Sequence, residues 1–200
     1  KRTNPKYSIM KNLIIISAPS GAGKTTLCRS LQEVMSDIDW SISYTTREKR
    51  EMEKDGIDYH FINKNVFHDL IKNNSFAEWE KVHGHYYGTN RTTLEIAISE
   101  NKFILLEMDV KGAISIKRLY PKNTFSIFIS PPSIDHLRKR LLKRGSESLE
   151  KIETRLKRYK KEMDYINKFD HIMINDDFSL ARQELINIIN KLKKGVYNGT

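Results

Sequence analysis

The sequence predicts an α/β fold, a mostly parallel sheet covered by helices on both faces, and three observations carry that prediction. Apolar runs such as LIIIS (13–17) and TFSIFIS (124–130) are too unbroken for half-exposed strands and too short for helices. They alternate along the chain with segments of helical periodicity. No repeat and no Gly/Ser- or Pro-rich linker interrupts the series, so the 200 residues read as one domain.

In chain order, a basic stretch over residues 1–9 precedes the first strand at 13–17, and KTTLCRSLQEVM (24–35) follows as a helix. KFILLEMDV (102–110) and TFSIFIS (124–130) are further buried strands, each leading into a helix. HIMI (171–174) is a short strand before a last amphipathic helix near 178–193. Two stretches break the rhythm. Residues 41–90 carry short strand-like pieces, FAEWEKV and HYYG among them, with a helix near 64–73, which indicates a small mixed sheet. Residues 134–166 are almost continuously helical and very basic, which indicates a helical hairpin.

A hydrophobic fraction of 38% with 30% charged residues suits a globular chain and excludes a disordered one. Cys28 is the only cysteine, so no internal disulfide or cysteine-based metal cluster forms, which favours a reducing cytoplasm. No apolar run approaches the roughly 20 residues that cross a bilayer. The apolar core at 13–16 is also shorter than a signal peptide needs. The net charge of +10 reads either as a lysine-rich solvated surface or as attraction to anions, whether nucleic acid or phosphate-bearing small molecules.

The first chemical signal is SAPSGAGKTT (17–26), set between a predicted strand and a predicted helix. Small residues here (Ala18, Pro19, Ser20, Gly21, Ala22, Gly23) let successive backbone N–H groups turn inward around phosphate, and the helix N-terminus adds positive charge. Lys24 reaches the outer phosphates, Thr25 offers a hydroxyl to Mg²⁺, and Thr26 completes the loop. Ala18 stands where the strict pattern has glycine, a mild departure that a negative φ accommodates. Glu107 and Asp109, in LLEMD, sit at the C-terminal end of a strand, where ligands of parallel sheets bind. Two apart on that strand, they face the same side, and Glu107 is placed to orient the metal's water shell.

Residues 41–62, SISYTTREKREMEKDGIDYHFI, collect hydroxyls and arginines with a tyrosine near the end. They have the composition of a solvated loop and equally of a second anion site, in which Arg47 and Arg50 offer planar forks and Tyr59 a hydroxyl. FAEWEKVHGHYYGT adds Glu78, Tyr87 and Thr89. Its HGH triplet (83–85) lacks a nearby third ligand and is a poor metal site.

At this point the chain closely resembles the guanylate kinases. The shared pattern is SAPSGAGKT, S-x-S-x-T-T-R-x-x-R, G-x-D-Y, F-x-E-W, YYGT, L-x-x-D-x-x-G and a basic R-G…R segment. Ser41, Ser43, Thr45, Thr46, Arg47, Arg50, Gly56, Asp58, Tyr59, Phe76, Glu78, Trp79, Tyr86, Tyr87, Gly88 and Thr89 meet it, and the match runs in order over about residues 13–176. The resemblance implies a P-loop NTPase-type three-layer parallel-sheet core (12–40, 91–133, 167–194). It also implies a small mixed α/β insertion for the nucleoside monophosphate (41–90) and a helical lid (134–166).

It implies further that Arg47, Arg50, Tyr59 and Tyr87 grip the phosphate of GMP while Glu78, Ser43, Thr89 and Asp109 read the base, with Glu107 beside them. One carboxylate can accept both N1–H and N2–H₂ of guanine, a donor pair adenine lacks. Arg144 and Arg155 match the lid's catalytic arginines, which act with Lys24 and Arg47, and Asn175 lies where similar proteins contact adenine. The implied reaction is transfer of the γ-phosphoryl group of Mg·ATP to GMP, and to dGMP, in purine nucleotide metabolism. Partners are then the two nucleotides, not nucleic acid or membrane, and the enzyme is a monomer or homodimer in the cytoplasm. A guanylate-kinase-like peptide-binding module would have a damaged ATP loop, whereas GAGKT is intact here. A basic nucleic-acid-binding NTPase would explain the charge but not Glu78.

Overall fold

A computed structural model of the chain describes residues 10–196, apart from His83, Ser146, Glu147 and the side chain of Arg144. The basic stretch 1–9 and the first histidine of HGH therefore lie outside the described residues. The elements begin with β1 (Leu13–Ser17), α1 (Lys24–Gln32), β2 (Asp39–Trp40), β3 (Tyr44–Thr45) and β4 (His60–Phe61). Next come α2 (Lys64–Lys72), β5 (Phe76–Val82), β6 (His85–Asn90), α3 (Arg91–Ser99), β7 (Ile104–Met108) and α4 (Val110–Leu119). The chain finishes with β8 (Thr124–Ser130), α5 (Ile134–Arg144), α6 (Leu149–Met163), β9 (His171–Ile174) and α7 (Phe178–Lys193).

A five-stranded sheet runs in the order β2-β7-β1-β8-β9, all its pairings parallel. The unbroken apolar runs are its inner strands: every residue of β1 and β8 is buried. Alternation sends Ile14, Ile16, Leu105 and Ile127 to the face covered by α1 and α7. Leu13, Ile15, Leu106 and Phe128 go to the opposite face, covered by α3 and α4. The sequence reading passed over β2, a two-residue edge strand, and α3, whose signals are the Asn90 cap and the buried pair Leu94 and Ala97. No helix among the described residues is long and apolar enough to cross a membrane.

Two expected elements end early, for local reasons. The helix expected at 24–35 stops at Gln32, where the Val34 N–H bonds the Leu31 carbonyl three residues back and the last turn tightens. The strand expected at 102–110 covers only Ile104–Met108. Asp109 leaves it to become the N-cap of α4, its side chain accepting from the Gly112 N–H at 2.9 Å.

The second sheet, order β4-β3-β6-β5, rests on an aromatic cluster. Phe67 of α2 lies 4.6 Å from Phe76 and 5.4 Å from Tyr86, centroid to centroid. A one-residue register shift in β5 between Phe76 and Glu78 accompanies a buried Phe76 and sets Glu78 opposite Thr89. Helices α5 and α6 form the expected hairpin, with a small core of Leu137, Leu141, Ile152 and Leu156.

Buried Asn12 closes the base of the main sheet: its side-chain amide donates to the carbonyls of Ala97 (2.9 Å) and Lys102 (3.0 Å). Asn12→Ala strips both carbonyls of a donor and is expected to cost about 1–3 kcal/mol. Urea unfolding should show a lower midpoint at unchanged slope.

Candidate active site

The loop after β1 owes its character to a missing side chain. Each of α2 to α7 is capped by its own side chain: Asn63, Asn90, Asp109, Ser133, Ser148 and Asp177. At the start of α1 the cap is Gly23, at φ +93, and no side chain accepts from the first turn. Its N–H groups are thus left for an anion. A Cβ on Gly23 would sit 2.4 Å from the Asn175 amide nitrogen, so glycine is required twice over.

That amide donates to the Ala22 carbonyl at 2.8 Å and braces the loop from beneath. Asn175, expected to meet adenine, is therefore buried with one of its two amide N–H donors engaged within the loop. It borders an open cavity of about 430 Å³ with Gly21, Thr26 and Phe178. Ala18 and Ala22 are buried, and Ala22 contributes its carbonyl rather than its methyl to the loop's geometry.

Lys24 places Nζ 3.2 Å from the Met108 carbonyl and 3.6 Å from Glu107 Oε1, while the Thr25 hydroxyl donates to the same carboxylate at 2.6 Å. Arg155 of α6 donates to Ser20 Oγ at 2.9 Å. Leu137 and Leu141 of α5 would each meet a Cβ on Gly21 at 2.9 Å, so the hairpin rests directly on the loop. Ser20, Gly21, Lys24, Thr25 and Arg155 border a cavity of about 330 Å³ that also receives Pro19, Arg50, Asp109, Arg158 and Glu162. Arg144 ends α5, but its side chain lies outside the described residues.

Across from the loop, a cavity of about 470 Å³ is lined by Arg47, Arg50, Tyr59, Tyr87, Thr25 and Glu107. Arg47 is held in a two-point fork by Glu53, with Nη1···Oε2 at 2.9 Å and Nη2···Oε1 at 2.8 Å. Its guanidinium lies 5.5 Å from the Tyr59 ring and 5.7 Å from that of Phe61. The Glu53 bond raises the Arg47 pKa further, and burial pushes the Tyr59 hydroxyl up to about 12, so both remain donors. Arg50 has a mostly exposed side chain, and its backbone N–H is held by Glu53 at 2.9 Å. Nothing in the sequence reading singled out Glu53; its signal was an acid three residues after Arg50 and six after Arg47.

Beside this lies a fourth, smaller cavity of about 190 Å³, bordered by Ser43, Glu78, Tyr87, Glu107, Asp109 and Gly112. Glu107 and Asp109 do share a side here, although Asp109 stands on a helix cap rather than a strand. Burial pushes the Glu78 carboxyl up to about 7, against the lowering effect of its bond from the Thr89 hydroxyl at 2.5 Å, and the charge of Asp109 adds to the rise. Thr89, expected at the base, is fully buried behind Glu78, because the β5–β6 register points its hydroxyl at that carboxylate. Glu78 Oε2 approaches the N-terminal turn of α4, 3.1 Å from where a Cβ on Gly112 would stand.

A phosphate-binding loop between the first strand and first helix of a parallel sheet defines a P-loop protein, and the acidic and basic pockets facing it are those of a nucleotide-handling one. Comparison with known proteins narrows the class. The guanylate kinase family model matches residues 10–192, and the chain belongs to the guanylate kinase family. It is 44% identical over 179 residues to a guanylate kinase of Polaromonas sp., covering 90% of this chain and 86% of that one. With a guanylate kinase of Syntrophotalea carbinolica it shares 42% over 177 residues, covering 88% and 84%. The crystal structure of a guanylate kinase from Anaplasma phagocytophilum superposes with a TM-score of 0.75 at 30% identity, covering 92% of this chain and 86% of that one.

Glu53 holds Arg47 without lining the loop cavity, so Glu53→Gln should act on one substrate only. Calorimetry is expected to show GMP binding weakened by about tenfold, the loss of one charge-assisted fork, with ATP binding unchanged.

Proposed function

We propose that the chain transfers the γ-phosphoryl group of ATP to the phosphate of GMP, giving ADP and GDP, and that dGMP serves as a second acceptor. The observation that carries the reading is Glu78, a carboxylate raised to about 7 at the wall of a small cavity that adjoins the Arg47 fork. In this reading the core comprises 12–40, 91–133 and 167–194, the acceptor-binding part 41–90, and the lid 134–166. The substrates are small nucleotides met in the cytoplasm rather than nucleic acid or a membrane surface.

The loop N–H groups, Lys24 and Arg155 hold the triphosphate, joined by Arg144 from the end of α5. Arg47, Arg50, Tyr59 and Tyr87 hold the acceptor phosphate. Thr25 and Glu107 present hard oxygen donors 2.6 Å apart beside the loop, a set that suits Mg²⁺, directly at Thr25 and through water at Glu107. When bound, the ion neutralises charge between the β- and γ-phosphates.

The acceptor oxygen is already anionic near neutral pH, so no side chain has to remove a proton. What the protein supplies is cation density and alignment against the repulsion of two phosphate chains. The hairpin seated on Gly21 covers the donor and keeps water from competing with the acceptor. Ser43 and Asp109 complete the base pocket around Glu78.

Incubation with Mg·ATP and each of GMP, dGMP, AMP, UMP and CMP tests the assignment. GMP and dGMP should turn over, with AMP disfavoured by about 10³-fold or more, because adenine leaves the buried carboxylate without donors. Equal use of AMP would overturn it.

Glu78 must be ionised to accept from both N1–H and N2–H₂, and burial keeps it protonated below about 7. As pH falls through that value the acceptor is lost, so kcat/KM for GMP should drop about tenfold per pH unit, on top of the phosphate's own ionisation near 6. In Glu78→Gln the break near 7 should vanish and the phosphate's remain.

A further inference from the structure

Helix α6 carries more than one arginine toward the cleft. Arg155, Arg158 and Glu162 recur at spacings of three and four and so share one helical face. Arg155 goes to the phosphate loop. Arg158 does not: its Nε donates to Glu162 Oε1 at 2.6 Å, and its Nη2 lies 3.4 Å from Asp109 Oδ2. Glu162 is buried in the same cavity, and among the described residues its second oxygen has no hydrogen-bond partner. A buried carboxylate is costly to maintain, and here it restrains one guanidinium from behind.

Asp109 stands where the cavities join, bordering with Lys24 and Val82 both the loop cavity and the base pocket. Its Oδ1 is spent on the α4 cap, which leaves Oδ2 facing Arg158. Its charge also acts on Glu78 across the Gly112 turn. Arg158 therefore offsets a negative charge that would otherwise oppose the ionised, guanine-accepting form of Glu78. At the same time it fastens the lid helix to the pocket in which the base is read.

We propose that Arg158 is a positioning residue for phosphoryl transfer, tying the lid helix α6 through Asp109 to the base-reading pocket, with Glu162 aiming its guanidinium. Resting on the function proposed above, this makes filling the base pocket and seating the lid over the donor a coupled event. The tie acts on turnover and on acceptor use, while donor affinity is left to the loop and Arg155.

A double-mutant cycle tests it with Arg158→Met, which keeps the stem length, and Asp109→Asn, which keeps the helix cap while removing the charge. Arg158→Met is expected to lower kcat for GMP by about tenfold with KM for ATP within about twofold of wild type. Arg158→Lys, which keeps charge without the fork, should fall between them. In the Asp109→Asn background, Arg158→Met should cost no more than about a further twofold.

Effects that multiply in the double variant would overturn the proposal, as would wild-type kcat in Arg158→Met or a loss confined to ATP affinity. Should Arg158→Met melt before assay, the same cycle with Arg158→Lys decides, multiplied effects again counting against the tie. The wild-type control separates the two readings. If it fails to phosphorylate GMP, the proposed function is wrong; if it succeeds and the cycle is additive, only the role of Arg158 is.

Discussion

The cleft depends on one bare helix end. Backbone N–H groups at a helix N-terminus are the cheapest anion site a chain can make, but in most helices a side chain at the cap takes them first. Here α2 to α7 are closed by Asn, Asp or Ser, and α1 alone among them starts on glycine. Keeping that end bare requires an αL residue without a Cβ and a brace beneath it, which Gly23 and Asn175 provide. The strand, the loop and the buried first face of α1 then set where the donor phosphates lie. Every other functional group is arranged around that point.

Around it, the cations are aimed by carboxylates. Arg47 is forked by Glu53, Lys24 stands beside Glu107, Arg158 spans Asp109 and Glu162, and Arg29 of α1 meets Asp58 at 2.8 Å. Partly exposed pairs of this kind add little to stability. Their effect is on direction: a long side chain whose rotamer is settled in advance loses less freedom when it meets phosphate. The base pocket reverses the logic. Glu78 is left with one hydroxyl donor and a neighbouring negative charge, so its ionised form is incompletely satisfied until a donor pair arrives. In the proposed reading, selectivity for guanine and sensitivity to pH are two consequences of that one deficit.

Much of the fold was legible because its strands are buried on both sides. LIIIS and TFSIFIS could only be inner strands of a covered sheet, and that is where they lie. The last helix was readable from its amphipathic stripe, and the α5–α6 hairpin from its length and charge. The omissions were elements with little local signal. Strand β2 has two residues, at an edge, and exists because Asp39 and Trp40 pair with β7. The early ends of α1 and β7 were decided by a tightened turn and by a capping aspartate, which periodicity does not register.

The candidate site divides the same way. By itself the sequence determined the loop, the arginine and tyrosine set around residues 41–62, and the acidic pair at 107 and 109, because backbone conformation and phosphate chemistry restrict which residue types can stand at those spacings. Only the tertiary structure decided that Thr89 stands behind Glu78 rather than at the cavity, and that Asn175 holds the loop from below. It alone brought Glu53 to Arg47, and Arg158 across 49 residues of chain to Asp109. A carboxylate's partner and degree of burial are properties of the packed interior, set by register and helix placement, and no local pattern encodes them.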